Sequence, residues 1–250
     1  MPNYNLTLNN FQISETRSLL EDTDYLSFTL QIGLATPQTL VKSMGSIGKG
    51  THTVGLSFSN VSLGVTDFVT LSYLIVNSGQ SPRVTVETTL ESVGGLFSSG
   101  VAPGFILPPE FGSALQTDSD WLTAELKSVF HLNCDGAVAA ERTGFMINDL
   151  LARPGGLPFN QSTPQPGTDS ATGCGGNSNY TVNWHVEQVG AVVPDVAGEQ
   201  PGTAETKIRA VGLVPHTLGT GKLVASQSPS AGAPVPLGSG VTLVLGNVVE

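Results

Sequence analysis

Apolar and polar residues alternate along several short stretches of the first 90 residues, with glycine, asparagine or proline between them. Between Tyr25 and Ile32, apolar residues alternate with Ser27, Thr29 and Gln31. In an extended chain the two sets would point to opposite faces. This period of two predicts β-strands that each present one face to a core. Their close, regular spacing predicts an antiparallel β-sandwich. The predicted strands are residues 4–11, 25–32, 53–58, 67–76 and 82–90.

The alternation then stops, and residues 92–109 contain no charged side chain. Prolines and glycines interrupt this segment, so a covered loop is favoured over a membrane span. Residues 118–130 carry apolar side chains at helical spacing, with acidic residues early and Lys127 late. Residues 92–131 are therefore predicted to form an insertion, part loop and part helix, on the sandwich.

Strand patterns return at residues 137–147 and 180–189, on either side of a stretch rich in glycine, proline and serine. That stretch, residues 153–179, is predicted to be an irregular loop. In the last strand, one face is predicted to carry Tyr180, Val182, Trp184 and Val186.

The last fifth of the chain has a different pattern. Pro201 suits the first turn of a helix, and Gly212 suits its end. The apolar stripe of this helix is Ala204, Ile208 and Val211. Short strands are predicted at residues 193–196, 222–227 and 240–245.

Several short motifs accompany these elements: Val193-Pro194-Asp195-Val196, Gly212-Leu213 at the helix exit, Ser226-Gln227-Ser228-Pro229, Gly232, Val235-Pro236 and Gly238-Ser239. In this order they resemble the PASTA domain, a module repeated on bacterial cell-wall transpeptidases and receptor-type Ser/Thr kinases. The resemblance covers residues 193–247. It implies that these positions are mainly structural, and that the module binds cell-wall muropeptides or acts as a spacer.

The predicted fold class is therefore mainly β. An antiparallel β-sandwich domain, residues 1–190 with the insertion at about 92–131, is followed by a small α+β PASTA-like domain, residues 191–250.

Charge narrows the choice of partners. Charged residues make up only 12% of the chain, and the net charge is −10. Residues 1–190 hold seven Lys and Arg against 16 Asp and Glu. Nucleic acids and anionic membranes bind clustered basic residues, so neither is an expected partner.

Two small groups of residues could have a chemical role. Glu21, Asp22 and Asp24 could share a calcium ion, and a solvated turn is the alternative. No other cofactor is indicated. Cys134 and Cys174 lie in stretches where the backbone can bend, so a disulfide is possible, with two free buried thiols as the alternative.

Enzyme motifs are not found. The sequence lacks a Gly-x-Ser-x-Gly turn, paired histidines at metal-binding spacing and a complete phosphate-binding loop. The chain is therefore predicted not to be an enzyme.

Three functions remain open. The first is a surface-associated binding or adhesion protein that contacts peptidoglycan or another glycan. The second is a structural subunit that assembles with copies of itself through the segment 92–111, with the possible interface residues Leu96, Phe97, Phe105, Ile106 and Leu107. The third is a membrane-active protein. No signal peptide is visible, whereas the PASTA resemblance favours an extracellular or cell-surface location.

Overall fold

The computed structural model describes residues 2–17, 21–79, 82–99, 136–153, 157–166 and 178–246. The strands in these ranges are β1 (Asn3–Glu15), β2 (Asp22–Ile32), β3 (Gln38–Ile47), β4 (Gly50–Ser62), β5 (Phe68–Asn77), β6 (Gly136–Met146), β7 (Phe159–Pro166), β8 (Asn179–Val192), β9 (Val214–Leu218), β10 (Leu223–Ser228), β11 (Pro234–Pro236) and β12 (Gly240–Gly246). The helices are α1 (Arg83–Ser99), α2 (Ile147–Leu151) and α3 (Pro201–Ala210).

Four strands form an antiparallel sheet in the order β3-β2-β5-β6. Its two central strands are buried along most of their length, β5 from Val69 to Asn77. A strand that is buried on both faces must be covered on both sides.

Helix α1 covers one face of this sheet. Its buried residues Val86, Leu90 and Val93 pack against Tyr25 of β2 and Leu74 of β5. These helix positions follow the i, i+4, i+7 spacing of a single helical stripe. Nearer the end of α1, polar contacts replace apolar ones.

Two contacts show how closely the end of α1 approaches the sheet. Ser98 and Ser72 join their hydroxyls across 2.6 Å. A Cβ at Gly94 would lie 2.8 Å from the hydroxyl oxygen of Thr29, so a larger residue there would require the neighbouring side chain to shift.

The other face of the sheet meets a second sheet, in the order β11-β8-β1-β4 with β7 also paired to β8. Aromatic rings join the two layers. Phe28 of β2 contacts Phe58 of β4 at 5.5 Å between ring centroids, and Phe145 of β6 stacks on Trp184 of β8 at 6.2 Å. The fold is therefore a mainly β antiparallel sandwich, as predicted.

The C-terminal elements form a small α+β module. Strand β12 pairs antiparallel with β10 and parallel with β9. Helix α3 packs on one face of this three-stranded sheet and buries Ala204 and Ile208 of the predicted stripe. Val211, the third residue of that stripe, is the C-cap of the helix and is half-buried against the same core. Opposite them, the sheet contributes Val224, Val241 and Leu243 to the same core.

The chain divides into two compact units. The sandwich unit comprises residues 6–58 and 65–185, and the C-terminal unit comprises residues 1–5, 59–64 and 186–250. The domain boundary expected near residue 190 stays a prediction.

Some predicted elements are wrong. Residues 82–90 belong to α1 and not to a strand, because Val86 and Leu90 face the sheet together only in a helix. Residues 159–166, expected to be irregular, form β7 on the edge of β8. Residues 193–196 are not a strand. Residues 92–99, expected to begin a covered loop, are instead the last part of α1. The rest of the expected insertion, including residues 118–130, lies outside the described residues.

Candidate functional site

The motif residue Gln227 fixes the segment that enters the C-terminal module. Its side-chain amide donates to the carbonyl of Pro194 at 2.9 Å and accepts from the amide of Val196 at 2.9 Å. One side chain therefore satisfies two backbone groups of a segment that has no strand partner. This is a structural role, as the motif positions were expected to have.

On the second face of the three-stranded sheet, the described residues leave several side chains exposed. Two cross-strand rows lie there: Ser228, Thr242 and His216 form one, and Ser226, Val244 and Leu218 form the other. We call this surface the open face, and it comprises Val214, His216, Leu218, Ser226, Ser228, Thr242 and Val244.

The open face combines aliphatic and hydroxyl side chains. Leu218 is 57% exposed, Val244 42% and Val214 40%. None of its seven positions is acidic, and none is Lys or Arg. Such a surface suits an uncharged or partly apolar ligand, because it offers van der Waals contact beside hydrogen-bonding groups.

Buried acids define a second feature, in the sandwich unit. The carboxyls of Asp22 and Asp24 are fully buried, and the hydroxyl of Tyr180 lies 3.0 Å from the first and 2.7 Å from the second. Burial raises the pKa of Asp24 from its ordinary value to about 7, and the nearby charge of Asp22 acts in the same direction. The pKa of Tyr180 is raised as well, chiefly by burial.

This arrangement bears on the proposed calcium site. The third residue of that set, Glu21, accepts a hydrogen bond from the Ser46 hydroxyl at 2.7 Å. No group of three or more potential metal ligands occurs within the described residues. The alternative of a solvated turn is wrong for Asp22 and Asp24, which are buried, and calcium binding stays a prediction.

A third buried acid, Glu141 of β6, lies beside Tyr73, its cross-strand partner on β5. Burial raises the pKa of Glu141, whereas hydrogen bonds from Thr163, Tyr73 and Trp184 act in the opposite direction. The hydroxyl of Tyr73 also accepts from the side chain of Gln165 at 3.0 Å. These contacts join side chains of β5, β6, β7 and β8.

Comparison with known proteins identifies one part of the chain. Residues 191–247 match the PASTA domain. The match agrees with the resemblance seen in the sequence, and we call these residues the PASTA module. No curated protein matches the chain.

The match indicates which kind of ligand modules of this family bind and in which proteins they occur. PASTA domains are non-catalytic modules that bind peptide or peptidoglycan-related cell-wall ligands, and they occur in cell-envelope proteins. Within the part of the chain that the structure covers, no helix is long and apolar enough to cross a membrane.

The remaining predicted residues fall largely outside the described ranges. Leu96 and Phe97 belong to α1, but their side chains are not described. The residues that lie outside the described ranges are Phe105, Ile106, Leu107, Cys134 and Cys174. The interface and the disulfide therefore stay predictions.

Sequence reasoning did not find the open face or the role of Tyr180. Val214 and Leu218 lie on β9, a strand of five residues whose Val-Pro-His-Thr-Leu pattern is too short to signal a surface. The contact between Tyr180 and Asp24 joins residues 156 positions apart, and no local pattern indicates such a pair.

Proposed function

We propose that the chain is a non-enzymatic, surface-associated binding protein whose PASTA module contacts peptidoglycan. The observation that carries this proposal is the match of residues 191–247 to a family of cell-wall binding modules. Within the described residues, the module contains a helix, a three-stranded sheet and the two Gln227 contacts. An extracellular or cell-surface location belongs to the same proposal.

We assign the contact to the open face. Peptidoglycan carries carboxylates on its stem peptides, and a chain with a net charge of −10 repels them over much of its surface. The open face has no acidic side chain, so a glycan strand or stem peptide can approach it without this cost. Its hydroxyls from Ser226, Ser228 and Thr242 can pair with sugar and amide groups.

Co-sedimentation of the full chain with purified peptidoglycan tests the proposal. We expect retention by wild type, and a loss of at least about tenfold in affinity for Leu218→Glu, because the new carboxylate repels the ligand and removes an apolar contact. Thr203→Glu is the matched control. Thr203 is exposed on α3, on the opposite side of the sheet, and the change in charge is the same.

Two results would contradict the proposal. If wild type is not retained, the module does not bind peptidoglycan under these conditions and the spacer function is favoured. If both glutamate variants lose affinity equally, binding depends on overall charge and the open face is not the site.

Light scattering distinguishes this function from assembly of identical subunits. In α1, Val93 and Ser98 from the start of the suggested interface 92–111 are buried in the chain's own core. A binding protein that acts as a monomer has a mass of 25.9 kDa in solution. A larger species at micromolar concentration would support the self-assembling alternative.

A further inference from the structure

Within the part of the chain that the structure describes, each sheet of the sandwich has a terminal strand with an unpaired edge. There β3 pairs with β2 alone, and β4 pairs with β1 alone. The two terminal strands follow each other in the chain, since β3 ends at Ile47 and β4 begins at Gly50. An unpaired edge presents backbone N–H and C=O groups with which a strand of another molecule can pair. This free edge of β4 therefore offers a second copy of the chain a place to add a strand.

Lys42 of β3 points into the space between the two sheets. Its cross-strand partner on β2 is Leu26, and the next pair on the same face is Leu40 with Phe28. Phe28 contacts Phe58 of β4 with their ring centroids 5.5 Å apart. This face of β3 is therefore turned toward the second sheet, and it carries a lysine where apolar side chains are usual.

The ammonium group of Lys42 reaches the other terminal strand. Its Nζ donates to the carbonyl oxygen of Val54 on β4 at 2.5 Å, in a half-buried position. One side chain thus spans the gap between β3 and β4. It places a positive charge at the rim of the sandwich, beside the free edge of β4.

The residue after Val54 interrupts the regular backbone of the same strand. Gly55 has a φ of +66°, whereas an extended strand keeps φ negative. No neighbouring atom lies within 4 Å of the position that a Cβ would take at Gly55, so the backbone conformation and not crowding favours glycine there. Local breaks in a strand and inward-pointing charges are two of the ways in which natural sheets protect their free edges.

We propose that Lys42 prevents a strand of a second copy from pairing with the free edge of β4. The inner side chains of an added strand would pack over the rim and remove the ammonium group from water. A single carbonyl dipole does not compensate a buried charge, so desolvation of Lys42 opposes the addition. This role belongs to the sandwich unit and does not depend on peptidoglycan binding.

Light scattering over a range of protein concentrations tests the proposal when wild type is compared with Lys42→Met. Methionine is close to lysine in length and removes the charge. We expect the average mass of Lys42→Met to rise with concentration to at least twice that of wild type, while circular dichroism shows that the fold is retained. A folded variant with the wild-type mass at every concentration would overturn the proposal.

Two further lysine variants separate the position from the charge. Lys42→Arg keeps a positive charge and N–H donors at the rim, so it should have the mass of wild type. Lys49→Met removes the same charge from a site that is 57% exposed and paired with Glu15, and it should also behave as wild type. If Lys49→Met associates as strongly as Lys42→Met, loss of charge at any position is sufficient and the proposal is wrong.

Lys42→Gln provides the comparison if Lys42→Met does not fold. Glutamine is neutral and keeps an N–H donor for the carbonyl of Val54, so it removes the charge with less disturbance. We expect this variant to associate as well, and the wild-type mass would overturn the proposal. Hydrogen exchange then shows where the copies meet. Backbone amides of β4 should exchange more slowly at high than at low concentration, and protection gained only in other strands would contradict the assignment to this edge.

Discussion

Gln227 determines whether the entry segment of the PASTA module keeps its shape. Its amide group makes both hydrogen bonds to the backbone of Pro194 and Val196, and Val196 is buried. Removal of the amide leaves those part-buried backbone groups without this hydrogen-bond partner. We predict that Gln227→Ala lowers the free energy of unfolding by about 1–3 kcal/mol.

Urea unfolding measures this loss, and hydrogen exchange shows where it occurs. The amide of Val196 should exchange faster in Gln227→Ala. Ser226→Ala is the control, because Ser226 is the exposed neighbour on the same strand, and a change within about 0.5 kcal/mol is expected. Equal effects of the two substitutions would show that the amide contacts do not stabilise the module.

The burial of two aspartates could not be predicted from the sequence. The run from Glu21 to Asp24 suggests a surface loop by its charge. Asp22 and Asp24 are nevertheless buried, because Tyr180, distant in sequence, supplies a hydrogen-bond partner. Trp184 was expected to lie in the core from its place in an alternating strand, and its burial confirms this. Local patterns thus predicted which apolar residues are buried. They did not predict that two acidic residues are buried with a hydrogen-bond partner distant in sequence.

Helix α1 is one of the secondary-structure elements that the sequence pattern predicted wrongly. Val84 and Val86 alternate with threonine and glutamate, a pattern typical of a strand, and β-branched residues favour strands. In a strand these two valines would share one face. In α1, Val86 is fully buried, whereas Val84 is 74% exposed, because neighbours at i and i+2 lie far apart around a helix.

This difference gives a test with two matched substitutions. Val86→Ala should lower the free energy of unfolding by about 2 kcal/mol, since it removes buried methyl groups from the contact with the sheet. Val84→Ala should change it by less than about 0.5 kcal/mol. Thermal or urea unfolding measures both. Similar losses at the two positions would contradict the helix and restore the strand prediction.

Strands were predicted well where one face is apolar and the alternation is long. β2 and β5 meet this condition, and the predicted ranges 25–32 and 67–76 lie close to the observed strands. β3 was missed because its ten residues are half-buried along most of the strand and show no clear alternation. β7 was missed because its proline, glutamine and threonine content resembles a loop, although β8 provides a pairing partner.

At the scale of the whole molecule, the two compact units are expected to carry different properties. The open face belongs to the C-terminal unit, and the contact of Val86 with the sheet belongs to the sandwich unit. Substitutions in one unit should therefore leave the other property unchanged, since residues without shared contact partners act additively. We predict that Leu218→Glu reduces retention on peptidoglycan without changing the melting temperature of the sandwich unit.

The reciprocal variant completes this prediction. Val86→Ala should lower the melting temperature yet bind peptidoglycan as wild type does at a temperature where it remains folded. Calorimetry and co-sedimentation on the same preparations measure both properties. If Val86→Ala loses affinity while still folded, the sandwich unit takes part in binding. The open face would then be only part of the site, because a ligand confined to the PASTA module has no means of sensing a methyl group removed beneath α1.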